Sequence, residues 1–155
     1  DLALEIAPWL ISGGMHIIHQ CGLKEEDRVK EGYRALGIEA EVYGFTTEIA
    51  ALCARSDFAI SRSGASTLWE LCAAKIPAFF IPFPYAAADH QYHNARYIID
   101  HEAGWCERQS DDLVLKLQEA ILSDIKPKSE RLGDLIAPEG ALHIIESIEK
   151  GCSVG

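Results

Sequence analysis

The chain has 155 residues, 48% hydrophobic and 25% charged, the composition of an ordinary globular domain and not of a disordered, collagen-like or mucin-like polymer. That length suits a single domain that buries about two-thirds of its surface without disulfide or metal staples. Lys and Arg number 14 against 24 Asp and Glu, a formal net charge of −10, and with no basic run to track phosphates this argues against nucleic acid as a partner.

Leu2, Ile6, Trp9 and Leu10 recur at helical spacing and predict a first helix over residues 2–11, stopped by Gly13 and Gly14. Residues 15–19 are short and Ile-rich and predict a strand. Residues 24–36 are amphipathic and predict a helix closing at Gly37, and residues 40–43 are extended. Thr46 or Thr47 is placed to cap a helix running to about Arg55. Residues 58–60 predict a buried strand, 66–74 a helix, and 78–81 a second buried strand. A helix is expected from about Gln91 to His101, a last short strand over 105–107, and an amphipathic helix over 111–122 with Ser110 as its cap. Two final helical stretches, near 128–135 and 139–150, have no strand pattern between them. Strict alternation of apolar strands with helices predicts a doubly wound α/β fold, a parallel sheet with helices on both faces. Ligands of such sheets sit outside the carboxyl ends of the strands, which directs attention to the loops that begin at Gly44, Ser61 and Pro82.

The five cysteines, Cys21, Cys53, Cys72, Cys106 and Cys152, are odd in number, widely spaced and without a C-x-x-C pair. This pattern opposes a disulfide framework or zinc knuckle and suits a reducing cytoplasm. No apolar run approaches the roughly 18 residues of a membrane span. The chain opens on Asp1 with no basic segment before an apolar core, so no signal peptide is expected, and it is expected to be part of a longer protein.

The loop Ser61-Arg62-Ser63-Gly64-Ala65-Ser66-Thr67 joins a strand to a helix with small and hydroxyl side chains. Gly64 permits close backbone approach, and the free N–H groups and positive dipole end of the helix form an anion site suited to phosphate. The alternative is simple capping, because Thr67 with Glu70 matches the S/T-x-x-E capping box. Glu70 lies one turn beyond Ser66 on the same face, where an ionised carboxylate would accept hydrogen bonds from both hydroxyls of a ribose. The loop from Pro82 to Gln91 is a proline-stiffened strand exit ending in Asp89, His90 and Gln91, polar ends that suit sugar hydroxyls or, alternatively, a plain helix cap by Asp89. His90 and His93 with Asp89, or His16 with His19, invite a metal reading. His16 and His19 would lie on opposite faces of a strand, however, and neither a cysteine cluster nor a D-x-D motif assists, so no metal and no cofactor is expected. Phe45 and Thr46 follow Gly44 at the same sheet edge, where Phe45 would stack on a ring or, alternatively, join the core.

These loops, in this order, resemble the C-terminal half of the MurG family of bacterial transferases, which add N-acetylglucosamine from a UDP donor to lipid-linked muramyl-pentapeptide. The resemblance runs from about Ile17 to Gly104. It rests on residues 61–67 with Glu70, on Phe80-Ile81-Pro82-Phe83-Pro84, and on Asp89-His90-Gln91 followed by Asn94-Ala95-Arg96. It implies the Rossmann-like, donor-binding half of a GT-B glycosyltransferase. Glu70 would hold the ribose, Ala65, Ser66 and Thr67 the diphosphate with Arg62 adding charge, Phe45 and Thr46 the uracil, and His90 and Gln91 the sugar. Ser63, Gly64, Asp89 and Asn94 would complete the site. The resemblance also implies inverting transfer in peptidoglycan synthesis, with roles in cell shape and division, at the cytoplasmic face of the inner membrane as a peripheral protein; the alternatives are the donor half of another nucleotide-sugar enzyme, a glycolipid glycosyltransferase or UDP-sugar hydrolase, or a non-catalytic UDP-sugar-binding module. Membrane contact, the lipid-linked acceptor and the general base would all belong to a preceding domain.

Residues 1–150 are thus expected to form the donor-binding domain, incomplete at its N-terminus, with 151–155 as a flexible tail. The family's first strand and Gly-Gly-Ser phosphate loop have no counterpart. Ser12-Gly13-Gly14 follows a helix and precedes a strand, so its N–H groups are misplaced for that task.

Overall fold

The computed structural model describes residues 1–83 and 90–136, and the chain divides into two compact units, residues 1–52 and 53–155.

The first unit runs α1 (Leu2–Ser12), β1 (Ile18–Gln20), α2 (Glu26–Ala35) and β2 (Glu41–Tyr43), with α3 (Ile49–Cys53) leading out of it. Asp1 caps α1 by accepting the Ala3 N–H at 3.1 Å, which satisfies one of the donors a helix start leaves free. The expected glycine stop is present: Gly13 N–H returns to the Trp9 and Leu10 carbonyls, and Gly14 takes a φ of 76°. Ala7 of α1, Ile17, and Val29 and Tyr33 of α2 form the buried core, with Leu4, Leu10 and Val42 packed against it. Gly32 faces the end of the Leu4 side chain so closely that a β-carbon there would require Leu4 to shift. β1 and β2 pair in parallel, with Ile18 opposite Glu41 and Gln20 opposite Tyr43.

The second unit runs β3 (Ala59–Ser61), α4 (Ala65–Ala73), β4 (Ala78–Phe80), α5 (His90–Asp100), β5 (Trp105–Cys106), α6 (Leu113–Leu122) and α7 (Lys126–Ile136). Its strands form a parallel sheet in the order β3-β4-β5. Central β4 is buried at every residue, as its apolar run predicts. β3 is not: it lies at the edge of its sheet and Ile60 is 39% exposed. Position in the pairing order, and not an apolar run, decides how much of a strand is covered. Leu68, Leu71 and Cys72 of α4, Ala95 and Ile98 of α5, and Leu117 of α6 are buried as well.

Two residues adopt the left-handed backbone without being glycine, Lys75 (φ 57°) after α4 and Glu102 (φ 53°) after α5. α7 holds both turns. Ser129 Oγ donates to the Lys75 carbonyl at 2.8 Å, while Lys128 Nζ and Arg131 Nη1 donate to the Glu102 carbonyl at 3.0 and 3.1 Å. The conformational cost of roughly 1–2 kcal/mol at each turn is thereby offset by carbonyl bonds from one helix. The helix expected over 139–150 and the tail at 151–155 lie outside the described residues.

Candidate functional site

Because β3 and β4 are parallel, with Ser61 opposite Phe80, the loops leaving both strands open at one sheet edge. α4 begins directly after the first loop. Its cap residue is Gly64, in extended backbone (φ −64°, ψ 143°), and no side chain of the described residues caps the helix. The first amide to return to a backbone carbonyl is Leu68 N–H, to Gly64. The capping box expected of Thr67 and Glu70 is therefore not formed. The helix starts two residues before Thr67, so Thr67 lies within the first turn and its hydroxyl is misplaced for an N-cap. The N–H groups of Ala65, Ser66 and Thr67 point out of a nine-residue helix whose dipole favours an anion. Glu70, exposed one turn on, has no ion-pair partner among the described residues.

Among the described residues nothing crowds Gly64. A β-carbon built there meets none of their atoms within 4 Å, and the backbone angles suit any residue. Ser63, by contrast, is completely buried, and its Oγ has no hydrogen-bond partner among the described residues.

The other expected side chains make specific contacts. Arg62 Nη1 donates to the carbonyls of Ile81 at 3.0 Å and Pro82 at 3.2 Å, and the guanidinium carbon lies 5.5 Å from the centre of the Phe83 ring. Gln91 Oε1 accepts the Phe83 N–H at 2.9 Å. Asn94 Nδ2 donates to the Ser63 carbonyl at 3.1 Å. His90 opens α5 and is exposed. Asp89, and with it the proposed cap of α5, lies outside the described residues.

In the first unit, the carboxyl ends of β1 and β2 border an open depression of about 470 Å³, lined by the turn from Gln20 to Glu25 together with Gly44 and Phe45. Phe45 is 66% exposed, so the reading of this ring as core is corrected: it follows β2 past the last covered position. Thr46 Oγ1 accepts the Glu48 N–H at 3.0 Å and so initiates the turn into α3. Glu26, bonded to Lys30 at 2.6 Å and to the Gly44 amide, is held below the usual carboxylate range. A β-carbon at Gly44 would run into that carboxylate. Sequence reasoning missed Leu23 and Lys24 on this rim; the available signal was Gly22, in the left-handed backbone immediately after a strand. Among the described residues no group of three or more His, Cys, Asp or Glu side chains converges as a metal site.

With this geometry in hand, the comparisons with known proteins are specific. The family described as glycosyltransferase family 28 C-terminal domain matches residues 1–142. The UDP-N-acetylglucosamine--N-acetylmuramyl-(pentapeptide) pyrophosphoryl-undecaprenol N-acetylglucosamine transferase of Sulfurimonas denitrificans is 49% identical over 148 residues, 96% of this chain and 44% of that protein. The transferase of the same name from a Sulfurovum species is 43% identical over the same shares. Among solved structures, the crystal structure of Acinetobacter baumannii MurG is similar with a TM-score of 0.70 at 24% identity, covering 88% of this chain and 41% of that one. A glycotransferase of kitacinnamycin is similar with a TM-score of 0.61 at 20% identity, covering 86% and 33%. The chain thus spans less than half the length of the relatives it matches.

Proposed function

Since the chain belongs to the glycosyltransferase family 28 C-terminal domain family, and its parallel sheets with flanking helices form a Rossmann-like half of the GT-B fold, we propose that it binds UDP-N-acetylglucosamine for inverting transfer of the sugar to lipid-linked muramyl-pentapeptide. The observation that carries this reading is the uncapped start of α4, with three outward N–H groups and Glu70 one turn beyond. An anion seated there satisfies the free donors, and Glu70 accepts from the hydroxyls of the adjoining ribose. His90, Gln91 and Asn94 at the start of α5, with Asp89 before them, serve the sugar, while Ser63 and Gly64 shape the phosphate turn. In the first unit, Phe45 and Thr46 serve the uracil. The net charge of −10 repels a nucleotide diphosphate at long range, so the grip depends on short-range backbone donors.

Charge grows on the diphosphate as UDP departs, and amides already aimed at it stabilise the transition state by on the order of 3 kcal/mol each. The acceptor hydroxyl attacks the anomeric carbon from the opposite side, which inverts it. The general base, the acceptor and any membrane contact belong to the portion of the relatives that this chain does not span. Work at the cytoplasmic membrane face, and through the wall in cell shape and division, follows from that reaction. Calorimetric titration with UDP, UDP-N-acetylglucosamine and ADP tests the donor claim. The two uridine ligands should bind and ADP should bind at least about tenfold more weakly; equal binding of all three would overturn it.

A further inference from the structure

Arg62 was expected to add charge beside the diphosphate, and its contacts suggest another task. Both hydrogens of Nη1 are directed to consecutive carbonyls, Ile81 and Pro82, and the guanidinium lies over the Phe83 ring. All three partners belong to the segment that leaves β4. An arginine in this position holds a strand exit in one conformation, since carbonyl oxygens accept only along limited directions and the ring fixes the cation's plane.

That segment in turn holds Gln91. A backbone N–H can only donate, so the 2.9 Å bond from Phe83 N to Gln91 identifies the accepting atom as Oε1 without ambiguity. The carboxamide is therefore oriented. Its oxygen is engaged with Phe83, and its NH₂, with two donors, has no hydrogen-bond partner among the described residues. The same logic orients Asn94, whose Nδ2 is engaged by the Ser63 carbonyl. The contacts close a circuit from Arg62 through Phe83, Gln91, α5 and Asn94 back to Ser63, the neighbour of Arg62 and the residue before the cap of α4.

We propose that Arg62 is a positioning residue for the donor's sugar, acting through Phe83 on the carboxamide of Gln91, which donates to a sugar hydroxyl, and that it is not a ligand of the diphosphate. The inference rests on the donor-site reading given above and assigns a division of labour within it. The backbone of α4 carries the phosphates, and the loop braced by Arg62 carries discrimination between UDP and UDP-sugar.

The test is the ratio of affinities for UDP-N-acetylglucosamine and UDP, measured by calorimetry on this chain, on Arg62→Gln, on Gln91→Ala and on the double variant. Arg62→Gln should leave UDP affinity within about twofold and lower UDP-N-acetylglucosamine affinity by about tenfold, the effect of losing one or two oriented hydrogen bonds. Gln91→Ala should do the same, and the double variant should lose no more than either single one, because both act on one contact. Parallel loss of both ligands in Arg62→Gln, or additive losses in the double variant, would overturn the proposal while leaving the donor site standing. Should Arg62→Gln fail to fold, Gln91→Glu decides. It keeps an acceptor for the Phe83 N–H but has no amide donors, so it should retain UDP and lose the sugar-dependent part, and parental affinity for both ligands would refute the mechanism. If the unaltered chain binds neither ligand, the donor-site reading itself falls, and this inference with it.

Discussion

Asn94 donates its side-chain amide to the backbone carbonyl of Ser63 at 3.1 Å, joining α5 to the turn that precedes α4. The bond uses the Ser63 carbonyl, and the buried Ser63 hydroxyl has no partner among the described residues. A buried unpaired hydroxyl is destabilising, and in a binding protein such a defect is retained where a ligand or a conformational demand uses it. Ser63→Ala should therefore raise the stability of the unliganded chain by about 1 kcal/mol, read from urea midpoints at constant m-value. A loss of stability would show that the hydroxyl finds a partner in solution.

Gly64 separates binding from folding. Its backbone is open to any residue and no atom of the described residues approaches a β-carbon there, so Gly64→Ala should change stability by less than about 1 kcal/mol. A methyl group placed at the proposed phosphate turn should nevertheless reduce UDP affinity about tenfold or more. Equal affinity in the two proteins would place the diphosphate elsewhere.

Glu70→Ala should weaken UDP binding by about 2 kcal/mol, the scale of a charge-assisted pair of hydrogen bonds. Against 2′-deoxy-UDP the loss should be clearly smaller. A variant that keeps the parent's preference for ribose would remove Glu70 from the nucleotide.

With the amides at the start of α4 as the proposed phosphate donors, donor binding should survive a chelator. Titration of UDP in EDTA, then with added magnesium, checks this. Binding lost in EDTA and restored by the divalent ion would assign a cation to Asp89 and His90.

His19 gives the first unit a predictable pH response. Its Nδ1 lies 3.0 Å from the Tyr33 hydroxyl, and burial, with Arg28 nearby, pushes its pKa below the usual 6.5. Burial also pushes Tyr33 up to about 12, so the phenol remains a donor to neutral His19. With the folded pKa depressed, the unfolded chain binds more protons in the window below 6.5. This stabilising contribution is complete above 6.5 and is lost as pH falls toward the folded value. Urea midpoints should decline between pH 7.5 and 5.5, and His19→Gln, which still accepts from Tyr33, should flatten that decline. An unchanged slope would assign the pH response to other groups.

Helix and strand order was legible because it depends on local spacing. The periodic apolar residues of α1 and α2, the glycine at 37 with its φ of 67°, and the apolar run of β4 each report a backbone state within a few residues of themselves. The turn that joins β3 to α4 was legible for the same reason, as a strand, a Gly-containing loop and a helix in succession. Tertiary structure alone decided the rest. Ile60 is exposed because β3 pairs on one side only in its sheet, and Phe45 is exposed because it lies past the covered end of β2. The N-cap of α4 falls at Gly64 and not at Thr67 because the loop from β3 enters the helix two residues earlier than hydroxyl spacing suggests. Arg62 meets its carbonyls 19 and 20 residues away, and Asn94 meets Ser63 31 residues away. A side chain's partner at such separation is set by which strands lie side by side. Strand pairing depends on contacts across the whole unit, and a local pattern of residue types holds no record of it.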